Sequence, residues 1–234
     1  MITSTNERAK AWAHDGAPEG ALVVADHQSA GRGRFGRSWV APAGTALLFS
    51  VVLRPALEPP RAPLIALVAA AAVRQAVEQD TGIRTAIKWP NDVLADGKKL
   101  AGVLAESLLA GSHLAAVIAG IGVNVNQENF ATERATSLYG LSGRTYQRFS
   151  LLATILEEMR RRYQALLAGD SVALLAECRA HSATIGQDVV LSGGGGQIRG
   201  RAVDIDSDGR LVLDTQDGLV RAVAGEVTTG EDVP

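Results

Sequence analysis

The stretch "SAGRGRFGRSW", Ser29 to Trp39, interleaves Arg32, Arg34 and Arg37 with Gly31, Gly33 and Gly36. The glycines have the G-x-G-x-x-G spacing of a dinucleotide-binding loop, but the arginines ask for a different chemistry. No Asp or Glu lies between His27 and Leu57, whereas Arg54 adds a further cation. Two like charges 4 Å apart near a surface repel by about 4 kcal/mol before salt screening, so an unpaired cluster of this kind calls for an anion. A dinucleotide fingerprint also needs a helix to begin at its last glycine. Here "RSWVAPAG" follows, and Pro42 and Gly44 argue against a helix. Glu58 has the offset of a ribose-binding acid but sits in the loop "PALEPPRAP". The stretch therefore reads as a Gly/Arg loop that wraps a carboxylate or phosphate.

A second constellation is "KWPND", Lys88 to Asp92, followed by "GKKLAGVLAES". Lys88 falls at the end of a strand. Asp96-Gly97 is a two-residue hairpin signal that brings Lys99 back alongside the preceding segment. Two lysines beside an arginine loop suit a nucleoside triphosphate whose charge is redistributed in phosphoryl transfer. "KWPND" alone also fits an ordinary turn with a satisfied Asn and Asp. Asn124, in "GIGVNVN", is a polar residue near a strand end, and Ser4, Thr5 and Asn6 stand at the entrance of the first helix, where Ser4 and Glu7 fit a capping box. The chain has no P-loop ending in Gly-Lys-Ser/Thr and no nucleophile elbow.

The elements that must position these residues alternate between helix and strand. "ALVVADHQ" and "TALLFSVVLRP" read as strands, "RAPLIALVAAAAVRQAVEQDTG" as a buried helix ending near Gly82, and "HLAAVIAGIGVNVN" as another strand. Helices resume at "SLLATILEEMRRRYQALLAG", with Ser150 as cap, and at "SVALLAECRAHSATIG". The final segment has short β runs separated by Gly-rich or Asp-Gly turns, with "GGGG" at Gly193 to Gly196 as a hairpin loop. The expectation is an α+β protein in which a mixed or antiparallel sheet packs with helices over 1–183, followed by a small β-barrel over 184–234.

At 234 residues and 47% hydrophobic content the chain can fill a sizeable core, and a net charge of −2 gives no global attraction to nucleic acid or an anionic membrane. The lone Cys178 excludes internal disulfides and reads as a buried helix residue; the four histidines show no metal-ligand spacing. "MITSTNERAK" lacks the apolar core of a signal peptide, and the run Leu64 to Val73 is too short to span a bilayer. A cytoplasmic location is expected, with no membrane partner.

Taken together, "STN", "DHQSAGRGRFGRSW", "KWPNDV", "KKLAGVLAE" and "GIGVNVN" resemble, in order and spacing, the motifs of the biotin–protein ligases, the biotin–[acetyl-CoA-carboxylase] ligases. The resemblance covers nearly the whole chain, and the last segment resembles the family's SH3-like barrel. It implies an enzyme that joins biotin to the α-phosphate of ATP, with Mg²⁺, releases pyrophosphate, and transfers biotin from biotinyl-5′-AMP to a lysine of a carboxylase's biotin carboxyl carrier domain. Carried over by position, Ser4, Thr5, Asn6 and Gln28 contact the biotin head group. Gly31, Arg32, Gly33 and Arg34 form a loop over biotin and the adenylate, and Lys99 binds the reacting carboxylate and phosphate. Arg34, Lys88 and Lys99 are the catalytic candidates. Arg34, Arg37, Trp39, Lys88, Asn91, Asp92 and Asn124 lie on the nucleotide side, with Asp92 as the candidate neighbour of Mg²⁺.

Larger family members carry a winged-helix domain ahead of this motif set; here "STN" begins at residue 4, so a ligase without operator binding is expected. A lipoate–protein ligase or octanoyltransferase of the same fold is the nearest alternative, but its Gly-Gly-Gly and His-Asp motif is absent and "KWPND" is present. A noncatalytic binding module is the other. Near-neutral charge and 4% aromatic content argue against a nucleic-acid surface. Monomer and homodimer both remain open.

Overall fold

The computed structural model describes residues 2–193 and 196–229. Its larger sheet has six strands: β1 (Leu22–Ala25), β2 (Ala46–Leu53), β3 (Ala86–Lys88), β4 (Asp92–Ala95), β5 (Lys98–Ala110) and β6 (His113–Asn124). Their order is β1-β2-β6-β5-β4-β3, and every neighbouring pair is antiparallel.

Side-chain alternation divides this sheet into two faces. Leu47, Phe49, Val51 and Leu53 of β2 join Ala101 and Val103 of β5 and Val117, Ala119, Ile121 and Val123 of β6 in the main apolar cluster. That face is covered by α2 (Leu64–Thr81) and α4 (Arg148–Leu167), with α5 (Val172–Ala180) packed against α2. The intervening residues, Ser50, Gly102, Leu104, Glu106, Gly120 and Gly122 among them, belong to the opposite face. Register aligns them into rows: Leu48 opposite Gly122 opposite Gly102, and Ser50 opposite Gly120 opposite Leu104. At one end of this second face α1 (Thr5–His14) packs Ala9 and Ala13 against Val52, Ala116 and Ile118. The other end stays open, and the candidate site lies there.

α2 lies within the stretch read as a helix, continues past the apolar run Leu64 to Val73, and is capped by Gly82, whose φ of 74° is the left-handed conformation expected there. At this length it does meet the length and composition of a membrane-crossing helix, but 78% of its apolar window is buried within the fold. Its apolarity serves the core between the sheet and α4. Cys178 is fully buried on α5, and burial pushes its thiol up to about 12.

Two helix starts differ from expectation. Ser4 is the N-cap of α1 but makes no side-chain cap hydrogen bond, because Gln28 Oε1 accepts the Thr5 N–H at 2.6 Å and Glu7 turns to Lys10 and Arg32. α4 begins at Arg148 rather than after Ser150, since Arg148 is pinned to Asp26 at 2.8 Å and to Ala46 O at 3.1 Å. A short α3 (Leu138–Ser142) was not foreseen.

The C-terminal strands β7 (Asp188–Gly193), β8 (Gly196–Ile205), β9 (Leu211–Thr215), β10 (Gly218–Ala222) and β11 (Glu226–Thr229) form a five-stranded antiparallel sheet in the order β10-β9-β8-β7-β11. Gly194 and Gly195, inside the expected "GGGG" hairpin loop, lie outside the described residues, while Gly193 pairs with Gly196 as a hairpin requires. This sheet shares the main apolar cluster with the larger one. Trp89 couples them, its N–H donating to Thr184 Oγ1 at 3.0 Å and its Nε1–H to Gly209 O at 2.9 Å.

Candidate active site

The floor of the site is made of glycines. A Cβ on Gly122 would lie 2.6 Å from Trp39 Cε2, and one on Gly102 would lie 3.1 Å from Trp39 Cζ3. The indole thus rests on the paired glycines of β5 and β6, and at Gly122 it comes closer than a side chain there would permit. A Cβ on Gly120, the next row along, would fall 1.9 Å from Asn6 Oδ1. The "GIG" of β6 is a floor signal because residues two apart in a strand share a face.

One end of the floor meets a wall of neutral hydrogen-bonding groups. The chain after β1 runs beside the N-terminus, with Ser29 N–H donating to Ile2 O and Ala30 N–H to Thr3 O. This places Gln28 against the first turn of α1, where its Oε1 accepts from Thr5 N–H and lies 3.1 Å from Thr5 Oγ1. Ser4, Thr5 and Asn6 are all buried, yet line the cavity together with Gln28.

Cations gather at the other end. β3 ends at Lys88, and the turn at Asp96 (φ 50°) and Gly97 (φ 71°) has the two left-handed residues of a tight hairpin. It sets Lys99 beside β4, with Nζ 2.7 Å from Asp92 Oδ1 and 5.8 Å from the Trp39 ring centroid. Asn91 Nδ2 donates to Val103 O at 2.8 Å, leaving its Oδ1 to accept from Arg34 Nη1 at 2.8 Å.

Arg34 sits at the tip of a small loop hairpin closed by Gly33 N–H to Arg37 O at 2.7 Å and Trp39 N–H to Gly31 O at 2.9 Å. The single helical turn Arg34–Gly36 contains Phe35 at φ 55°, so no helix starts at Gly36. Gly31 serves the hairpin: a Cβ there would be 2.4 Å from Trp39 O.

The arginines divide, and the expected four-cation cluster is corrected. Arg32 pairs with Glu7, and Arg37 pairs with Glu226 of β11. Arg54 points away, donating to the carbonyls of Ala13, Ala17 and Ala115, where it satisfies the end of α1. Among the described residues Arg34 and Lys88 have no carboxylate within ion-pair distance. Burial lowers the pKa of Arg34, an effect opposed by Asp92 and Glu226 and reinforced by Arg37. Hydrogen bonding with Arg37 holds Glu226 below the usual carboxylate range, and Arg37 is raised in return.

Residues 1–124 match the model of the Biotin/lipoate A/B protein ligase family, and residues 184–229 that of the Biotin protein ligase C terminal domain. The chain belongs to the biotin/lipoate A/B protein ligase family. It is 36% identical over 236 residues to a biotin–[acetyl-CoA-carboxylase] ligase of Paracoccus denitrificans, covering 97% of each chain. It is also 36% identical to the bifunctional ligase/repressor BirA of Bacillus subtilis, covering 98% of this chain and 72% of that protein. The structure of the biotin protein ligase from Aquifex aeolicus in complex with biotin and ATP superposes with a TM-score of 0.83 at 32% identity, over 98% of this chain and 95% of that one.

Within this ligase fold the cavity collects Ser4, Thr5, Asn6, Gln28, Arg32, Gly33, Arg34, Arg37, Trp39, Lys88, Asn91, Asp92 and Lys99. Gly31 and Asn124 lie behind that lining. Asn124 donates to Thr136 O at 3.0 Å and Lys99 O at 3.4 Å, so it supports the strand that carries Lys99. Sequence reasoning missed Glu226, which joins the cavity wall from the C-terminal sheet, and Ser50 and Glu106, which stand behind the neutral wall. No local motif signals a partner more than a hundred residues away. Ser50 was legible only as the polar residue in an otherwise apolar strand. Among the described residues no cluster of His, Cys, Asp and Glu could hold a metal ion by itself.

Proposed function

We propose that this chain is an ATP-dependent biotin–protein ligase that forms biotinyl-5′-AMP and then biotinylates a lysine of a carboxylase's biotin carboxyl carrier domain. One observation carries the reading: a single glycine-floored cavity has a neutral hydrogen-bonding wall at one end and Arg34, Lys88 and Lys99 at the other. That polarity suits a molecule with an uncharged urea head and a carboxylate tail laid end to end with a triphosphate. The likeness to the Paracoccus ligase over nearly both full lengths supports it.

Biotin's carboxylate is ionised at neutral pH, so the first step needs no general base. The carboxylate oxygen attacks the α-phosphorus, the bond to the β-phosphate oxygen breaks, and pyrophosphate leaves. Two anions must be brought together for this. Lys99, Lys88 and Arg34 screen their repulsion and hold them in line. In the second step the carrier lysine's amine attacks the acyl carbon of the mixed anhydride and AMP departs.

Thr5, Asn6 and Gln28, with Ser4, hold the biotin head group. Arg34, Arg37, Trp39, Lys88, Asn91, Asp92 and Asn124 serve the nucleotide side, Asn124 through Lys99. Mg²⁺ enters as MgATP. With two carboxylates near the cations among the described residues, Asp92 paired with Lys99 and Glu226 paired with Arg37, the protein offers the sparse ligation usual for a metal carried on phosphates. The Gly/Arg loop closes over the adenylate and shields it from water. The chain acts in the cytoplasm, where ATP is supplied.

The test is pyrophosphate release from MgATP with biotin, lipoate or octanoate, with a biotin carboxyl carrier domain added to one set. Release with biotin alone, and label on the carrier lysine, is the expected result. Release with lipoate or octanoate in its place would give the site to the sister activities. Binding of biotin without release would leave a noncatalytic module.

A further inference from the structure

The neutral wall has a defined direction of hydrogen bonding. Asn6 Nδ2 donates to Leu104 O at 3.2 Å and to Glu106 Oε2 at 2.7 Å, two groups that can only accept. This fixes the amide and leaves Oδ1, also acceptor only, 2.6 Å from Ser50 Oγ. Ser50 is fully buried and has one proton, so that proton goes to Asn6. Ser50 Oγ lies 2.7 Å from Thr5 Oγ1 as well, a contact that alone would fit either donor. With the serine proton already committed, Thr5 must donate to Ser50. Gln28 Oε1 is also within reach of Thr5 Oγ1, at 3.1 Å, but a proton sent there would leave the Thr5 and Ser50 oxygens facing each other bare across 2.7 Å. Thr5 Oγ1, its proton committed, is then left as an acceptor beside the cavity that Thr5 lines.

The geometry assigns Glu106 as a positioning residue whose carboxylate sets the proton order Thr5 to Ser50 to Asn6, and so makes Thr5 an obligate acceptor for a ligand N–H. Lys10 holds the other oxygen, Oε1, at 2.5 Å. Lys10 also contacts Glu7 at 3.1 Å, and Glu7 pairs with Arg32, so the same chain of charges reaches the Gly/Arg loop. The assignment rests on biotin as the ligand, whose cyclic urea presents N–H donors. A site built to accept an N–H rejects an analogue with an oxygen in its place, because two acceptors then face each other.

The experiment compares pyrophosphate release by the parent, E106M, E106Q and S50A with biotin and with its cyclic-carbonate analogue, in which oxygen replaces both ureido N–H groups. The parent is expected to favour biotin by about 10³-fold or more in kcat/KM. In E106M the Asn6 amide keeps only Leu104 O, at 3.2 Å, to hold its orientation, so it turns more readily, Thr5 can donate, and the preference falls by about tenfold, mostly through KM. E106Q leaves one oxygen for two donors, Asn6 and Lys10, and gives a preference between those of the parent and E106M. S50A removes the oxygen that takes the Thr5 proton and reproduces E106M, which keeps the test open if E106M does not fold. Equal losses for biotin and analogue in both E106M and S50A would overturn the assignment and leave Glu106 as mere support. Absence of biotin-dependent release by the parent would overturn the biotin reading itself, and the proton order with it.

Discussion

The two ends of the cavity solve opposite problems. At the neutral end Thr5, Asn6 and Ser50 are all less than 5% exposed and make their hydrogen bonds within the protein. At the cationic end, among the described residues, Arg34 and Lys88 have no carboxylate within ion-pair distance, and Lys99 has only Asp92. A neutral head group exerts no long-range pull, so its recognition depends on donors and acceptors fixed beforehand. Phosphates and carboxylates do the reverse: cations already neutralised by the protein would gain little from them. The difference teaches that pre-organisation here means groups turned in a fixed direction by buried partners at one end and cations left short of counter-charge at the other.

The contrast is broken most severely at Lys99. K99Q removes the cation paired with Asp92 and leaves that carboxylate facing the incoming anions. A drop of about 10²- to 10³-fold in kcat/KM for biotin-dependent pyrophosphate release is expected. A change below threefold would show that the phosphate end does not depend on its charge. At the neutral end the sharper tool is size. G120A drives a methyl group into Asn6, at a distance of 1.9 Å before relaxation. Overpacking of this kind costs about 2 kcal/mol, so KM for biotin should rise about 30-fold while KM for ATP stays near the parent's. Equal changes in both constants would mean that the floor acts as one unit.

The same contrast explains what the sequence could reveal. The cationic end was readable because its residues cluster locally: the Gly/Arg loop and "KWPND" each place their charges within a few positions, and Asp96-Gly97 announced the turn that returns Lys99. Spacing could not show which arginines remain free. Glu7 and Glu226 neutralise Arg32 and Arg37 from opposite ends of the chain, and Arg54 is spent on carbonyls at the end of α1. The neutral end was visible only as "STN" and Gln28. Its supports, Ser50 and Glu106, are brought there by register between β2, β6 and β5, which no local pattern fixes. The architecture was more legible, since the strand and helix periods, Gly82 and the Asp-Gly turn carry their own geometry. The first turns of α1 and α4 were not, because tertiary partners replaced their side-chain caps.

Arg34 tests whether the cationic end also retains its product. It bonds Asn91 across the mouth of the cavity from a hairpin tip that has few other anchors. R34A should let biotinyl-5′-AMP escape about tenfold faster, a loss of about 1.4 kcal/mol from a charge-assisted contact. Biotin label would then spread to lysines of bystander proteins mixed with the enzyme. Retention of the adenylate at the parent's rate, measured by rapid filtration, would remove Arg34 from the closing of the loop.

The smallest effect is expected at the pair that ties this loop to the C-terminal sheet. Arg37 and Glu226 are 63% and 39% exposed, so solvent screens them, and E226Q should raise KM for ATP only about threefold. The pH dependence sharpens the point. Arg37, chiefly through its hydrogen bond and with Lys88 and Arg34 contributing charge, holds Glu226 below the usual carboxylate range. A depressed carboxylate contributes its stabilisation fully above its unfolded pKa and loses it as pH falls through the folded one. Amide exchange at Phe35 and Gly36, corrected for intrinsic rates, should therefore be slower in the parent than in E226Q at pH 7. The two proteins should converge as the pH falls below the ordinary carboxylate range, and also in about 1 M salt, where screening shortens the reach of the pair to a few ångströms. Protection that is the same in both proteins at pH 7 would mean that the loop is held by its own hairpin bonds and Arg34 alone, and that the C-terminal sheet forms a wall of the cavity without steadying the residues that close it.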